Sequence, residues 1–236
     1  VYVLYSRYQL IIIMKPVVSR IFGHWLKVMK IGLPAALSNM MTPLAGGILT
    51  AMVAQHGAEA VAAFGVGNRL ESLSLLACLA LSMTLPPFVS QNFGAGQIHR
   101  VIAAYQGAIK FALMWQFVVF VVLWVFRDSI ADLFAASDLI KTPLLMWLGI
   151  VPLGFGMQAV IFLSASTFNA LHQPMRAMRI SILRLFVFFI PMAWIANQIW
   201  GLQGMFVAFV LANSAASWVA YRSVSKLLEA KSAVNQ

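Results

Sequence analysis

Apolar residues along this chain come neither in two-residue alternation nor in narrow helical stripes. They come in long runs separated by short polar connectors. A helix needs about 20 such residues to cross a bilayer core, and runs of that length are predicted at about 31–54, 60–89, 102–126, 144–171, 175–199 and 205–224. Residues 1–14 read as the tail of a preceding span, and 15–30, with Lys15, Arg20, Lys27 and Lys30, as a basic connector. In hydrocarbon the backbone finds no outside hydrogen-bond partner, so a spanning segment is a helix or part of a closed barrel. Barrel strands show alternating segments of about ten residues, which are absent here, so the expected fold is an all-α integral membrane protein with a bundle of six transmembrane helices. Breaks are expected at Ser90-Gln91-Asn92-Phe93-Gly94-Ala95-Gly96, at His172-Gln173-Pro174 and at Gly201 to Gly204. Between the third and fourth spans, Asp128, Asp132 and Asp138 alternate with Ile130, Leu133 and Phe134, which predicts a short amphipathic helix on the membrane interface.

Composition removes the soluble alternative. Hydrophobic residues make up 62% of the 236 and charged residues 9%, where a soluble domain carries about 25% charged. A chain of this size buries only about 70 to 75% of its unfolded surface, so most of its remaining surface must face lipid. The net charge of +10 would suit nucleic acid if its carriers formed a patch. They cluster instead in alternate connectors: Lys15 to Lys30, Arg100, Arg176 with Arg179, and Arg222, Lys226 and Lys231 at the end. The opposite connectors hold Glu59, Asp128, Asp132 and Asp138. With six spans that alternation puts the basic connectors on the cytoplasmic side; no nucleic-acid partner is expected, and the location is a cell membrane, multi-pass, with a bacterial inner membrane expected. Cys78 has no second cysteine to pair with. The four histidines lie at helix ends or connectors without metal-ligand spacing, and no phosphate loop or dinucleotide fingerprint is present. An enzyme is not expected.

Two charges fall inside a predicted span. Arg69 and Glu71 would each cost about 2.5 to 3.5 kcal/mol to insert. Glu71 lies about 17 Å along the helix from Ala60, close to mid-membrane. Two residues correspond to about 200° of helical rotation, so Arg69 and Glu71 face different surroundings. Glu71 shares its stripe with Asn68 and is flanked by Ser72; a carboxylate there could exchange a proton or hold a cation, or pair structurally with a base on another helix. Arg69 could snorkel or act in gating. Asn39 in the first span and Gln158 in the fourth are further polar candidates, and interhelical hydrogen bonding is the bland alternative. Lys110 and Arg184 lie near the cytoplasmic side and are expected to snorkel.

Gly32-Leu33-Pro34, the stretch from Ala60 to Leu73, and the Gln91-to-Gly96 turn followed by Arg100 together resemble the second lobe of the multidrug and toxic compound extrusion (MATE) antiporters. Ser166 to Ala170 before Pro174, Arg184 with Pro191, and Gly201-Leu202-Gln203-Gly204 agree. The resemblance covers the chain from about Lys27 to Lys226. It implies one six-helix lobe, over 27–226, of a twelve-helix transporter, preceded by the basic connector and helix end of 1–26 and followed by a cytoplasmic tail of 227–236. It further implies a secondary active efflux antiporter for drugs or organic cations, coupled to protons or sodium and needing no other cofactor. The implied partners are a missing N-terminal lobe, a small cationic substrate and the bilayer. On such a cavity Phe155, Phe162 and Ser72 are lining candidates. Some members of the family carry acids in the helices corresponding to the first and fourth spans, which this sequence lacks, leaving Glu71 as its one deep carboxylate. The alternatives are a lipid or polysaccharide flippase of the same superfamily and a non-transporting membrane assembly subunit.

Overall fold

The computed structural model describes residues 18–234, and among them all regular structure is helical. The span tail expected over 1–14, and Lys15, lie outside the described residues. By its contacts the chain divides into two compact units, 1–33 and 34–236. Of the first, the described part is the opening of helix α1 (Val18–Val53), with Trp25, Leu26 and Val28 exposed. Helix α1 therefore starts well before the predicted 31. Lysine, arginine, leucine and methionine are good helix formers, and no proline interrupts 18–33.

The second unit holds the rest of α1 and α2 (Ala58–Gly94), α3 (Ile98–Val125), α4 (Arg127–Phe134), α5 (Asp138–Ile150), α6 (Phe155–Ala170), α7 (Pro174–Ile182) and α8 (Ile190–Val234). Helix α2 runs through the break expected at Ser90. Ser90 Oγ donates to the Pro87 carbonyl and Asn92 Nδ2 to that of Phe88, so these polar side chains satisfy the helix rather than stopping it. The stop comes at Gly96, with φ +73. The amphipathic helix expected after the third span is α4, tied to α5 by an ion pair between Asp132 and Lys141.

Proline shapes the two later spans. Pro152 falls in a 3-10 turn, Val151–Gly154, that joins α5 to α6. Pro191 cannot donate to the carbonyl four residues back, and just ahead of it the chain widens into a π turn, Leu183–Phe189, linking α7 to α8.

Among the described residues, five helical stretches are long and apolar enough to cross a membrane, the last being Pro174–Ser232. That last stretch is folded in two. Gly201 has φ +55 and ψ −139, a conformation open to glycine. The rings of Phe189 and Phe209 are 6.1 Å apart, whereas a straight helix would separate them by about 30 Å. The arms before and after Gly201 are thus neighbours, supplying the fifth and sixth predicted spans. They meet so closely that a Cβ on Gly204 would lie 2.3 Å from the Ala196 carbonyl oxygen.

Helix α6 packs against α2, α3 and α8. Around it lie two apolar cores. One gathers Cys78, Leu85, Tyr105, Ile109, Leu163 and Phe168 towards the Gly96 end. The other gathers Phe64, Leu123, Trp147, Phe155, Phe189 and Phe206 towards the Gly201 end. Helices α2, α3, α6 and the arms around Gly201 pass from one core to the other, and polar residues sit where they do so: Glu71 on α2, Gln116 on α3, Gln158 on α6, Arg184 on the π turn and Asn213 on α8.

Candidate functional site

The polar layer is built around Glu71. Gln158 Nε2 donates to Glu71 Oε1 at 2.9 Å, joining α2 to α6 across 87 residues of sequence. Gln158 is buried and Glu71 half-buried. A buried amide without partners costs a few kcal/mol, so each group makes the other tolerable. Arg184 and Glu71 line the same cavity. Arg184, expected to snorkel near the cytoplasmic side, is instead carried by the π turn onto the wall of this cavity. Asn213 Nδ2 donates to the Phe209 carbonyl at 3.0 Å, while its Oδ1, like Oε1 of Gln158, is buried with no hydrogen-bond partner among the described residues.

Two cavities meet at this layer. The first, about 170 Å³, is lined by Asn68, Glu71, Gln158, Arg184, Phe189 and Asn213 among others. The second, about 600 Å³, is lined by Asn39, Glu71, Leu76, Gln158, Phe162 and Asn169 among others. Glu71, Ser72 and Gln158 belong to both. The Glu71–Gln158 hydrogen bond therefore stands between two spaces, one with a cation in its wall and one mainly apolar.

The expected residues do not all converge here. Asn68 lines the smaller cavity, Asn39 and Phe162 the larger, and Ser72 both, its hydroxyl donating to the Asn68 carbonyl at 2.8 Å. Phe155 does not line either cavity. It is fully buried against Trp147, ring centroids 5.9 Å apart, because it lies one turn from Gln158 on the Gly201 side, inside the apolar core. Arg69 is exposed and lines neither cavity, as the 200° between it and Glu71 demands. Arg184 and Asn213 were not among the expected site residues. Arg184 carried a signal in the sequence, a charge within the 175–199 run; Asn213 carried little, since one asparagine among apolar residues reads as interhelical glue.

Gln116 completes the layer on the far side of α2. Its Nε2 donates to the Ser74 carbonyl at 3.0 Å and approaches Cys78 Sγ at 3.3 Å. This bond holds α3 to α2 close to the level of Glu71 and leaves the carboxylate itself facing the cavities.

The MatE family profile matches residues 34–195. A FAD transporter of Shewanella oneidensis is 34% identical over 212 residues, covering 90% of this chain and 47% of that protein. The multidrug export protein MepA of Staphylococcus aureus is 25% identical over 192 residues, covering 80% and 41%. Among solved structures, the Vibrio cholerae MATE transporter VcmN in the bent form superposes with a TM-score of 0.84 at 32% identity, covering 91% of this chain and 48% of that one. The chain thus spans about half the length of the relatives it matches.

Proposed function

Since the chain belongs to the MatE family of membrane transporters, we propose that it forms the C-terminal six-helix lobe of a secondary active antiporter that exports small organic cations. A substrate site between two repeats requires both halves, so transport needs the N-terminal lobe. The observation that carries the reading is the Glu71–Gln158 pair at the junction of the two cavities. Glu71 is the coupling group in this lobe: it holds a proton or a sodium ion in one phase of the cycle and is released to Arg184 and Gln158 in the other. The apolar larger cavity, with Phe162, Leu76 and Leu79, suits amphipathic cations, which gain from contact with aromatic faces.

A second reading has its own support. Arg184 in the cavity wall suits an anionic substrate, and the Shewanella relative is named for transport of FAD, a dinucleotide bearing phosphates. One vesicle experiment separates the two. The full-length transporter is reconstituted, and uptake of a fluorescent organic cation and of FAD is followed under imposed proton or sodium gradients, with Glu71→Gln and Arg184→Gln beside the native protein. Gradient-driven cation movement lost in Glu71→Gln supports the first reading. FAD movement lost in Arg184→Gln supports the second, and cation movement unchanged by Glu71→Gln removes Glu71 from coupling.

A further inference from the structure

A pocket of about 340 Å³ outside the polar layer opens between α3 and the last arm of α8, lined by Tyr105, Gln106, Tyr221, Arg222, Lys226 and Glu229 among others. Its floor is aromatic. Tyr105 and Tyr221 stack at 6.2 Å with their planes 16° apart, and the Tyr105 hydroxyl is taken up by Ser164 at 2.7 Å. Its rim is cationic. The Arg222 guanidinium rests over the Trp218 ring at 4.4 Å, which holds the charge in one place. The ion pairs among the described residues join Arg127 to Asp128 and Lys141 to Asp132, so Arg222 and Lys226 are in no ion pair there, and with Glu229 in the lining the pocket keeps a net positive charge.

The height of this pocket follows from the polar layer. From Gln116 to Gln106 along α3 is about 15 Å, and from Asn213 to Arg222 along α8 about 13 Å, reaching about 19 Å at Lys226. The hydrocarbon half-thickness is about 15 Å. Both walls of the pocket thus pass the edge of the hydrocarbon and enter the headgroup layer on the basic side of the bundle, with Glu229 three residues beyond Lys226 at the pocket's outer end. Towards the bilayer centre each wall continues as exposed apolar surface: Leu113 and Phe117 on α3, seven and eleven residues from Gln106, and Trp218 and Leu211 on α8, four and eleven residues from Arg222. These spacings keep each set on the pocket's own face.

We infer that this pocket binds an anionic phospholipid, with Arg222 and Lys226 on the phosphodiester, Gln106 and Ser225 as further donors, and the acyl chains lying along the Leu113–Phe117 and Trp218–Leu211 surfaces. Paired basic residues at a helix crossing near the headgroup layer recognise such lipids by charge, and a guanidinium braced on an indole keeps its fork free for phosphate oxygens. The site is independent of the polar layer and of any transported substrate.

The test is native mass spectrometry of the purified full-length protein in a neutral detergent, titrated with phosphatidylglycerol or phosphatidylcholine, so that no charged surface contributes. Phosphatidylglycerol is expected to be retained in preference. Each lost cation should weaken retention by up to about fivefold, and the loss of both in Arg222→Gln with Lys226→Gln by up to about thirtyfold, the upper end for exposed ion pairs. Arg176→Gln removes an equal charge on the same side outside the pocket and is expected to change nothing, and Lys226→Arg is expected to keep binding. If the double variant is not monodisperse on gel filtration, the Lys226→Gln single variant, at an exposed position, carries the test. Retention equal in variant and native protein overturns the proposal, as does equal loss with Arg176→Gln. Occupancy by inorganic phosphate alone, displacing the lipid at millimolar concentration, overturns the lipid assignment.

Discussion

Replacing Gly67 with alanine adds a single methyl group to α2 where it crosses α5. That methyl would lie 2.4 Å from Trp147 Cε2, 2.5 Å from Cδ2 and 2.7 Å from Nε1. Ordinary carbon contacts are about 3.5 to 4 Å, so the helices or the indole must move by about 1 Å. The indole has nowhere to go: Trp147 is fully buried and packed on Phe155. Overpacking of this kind costs about 1 to 3 kcal/mol, and with the clash on a rigid ring the upper half of that range is expected. At about 2 to 4 °C per kcal/mol for a chain of this size, Gly67→Ala should lower the midpoint of thermal unfolding in detergent by about 4 to 12 °C. Trp147→Leu removes the ring that is struck and by itself should cost less than the about 3 to 5 kcal/mol of a truncation to alanine, since leucine fills part of the cavity. The double variant should be less destabilised than the sum of the singles by at least about 1 kcal/mol, because the alanine methyl then fills space instead of contesting it. Strict additivity, or an alanine variant as stable as the native protein, would refute the claim that Gly67 is required by the indole.

Other consequences can be measured in the same preparations. Gly201→Ala puts a side chain at φ +55 and ψ −139, and such backbone strain should cost about 1 to 3 kcal/mol while leaving helix content by circular dichroism unchanged. Tyr105→Phe removes the hydrogen bond to Ser164; the serine hydroxyl keeps the Val160 carbonyl as acceptor, so the loss should be only about 0.5 to 1.5 kcal/mol, read as a small fall in the unfolding midpoint. Glu71→Gln keeps an amide oxygen to accept from Gln158 but takes the negative charge out of the cavity it shares with Arg184, so the unfolding midpoint should fall while helix content by circular dichroism is kept. Its transport defect, where one is seen, is then a loss of charge and not of structure.

The long apolar runs and the Gly201-to-Gly204 turn were enough to set out a helical membrane chain with six spans, although α2 runs on through the break expected at Ser90. These features act locally: span length follows from rise per residue, and a proline or glycine imposes its dihedral limits wherever it stands. Glu71 was legible for the same reason, since a carboxylate deep in an apolar run is costly in any arrangement. What the sequence alone could not determine was the company it keeps. Gln158 lies 87 residues away from Glu71 in the chain, and Arg184 further still. Periodicity can place each on its own helix face but cannot say which faces meet. The π turn before Pro191 decided that Arg184 faces the cavity, and the 3-10 turn at Pro152 decided that Phe155 falls into the core while Gln158, one turn later, reaches the carboxylate. Tertiary packing made those choices, because the rotation of one helix against another depends on how side chains from distant segments interlock.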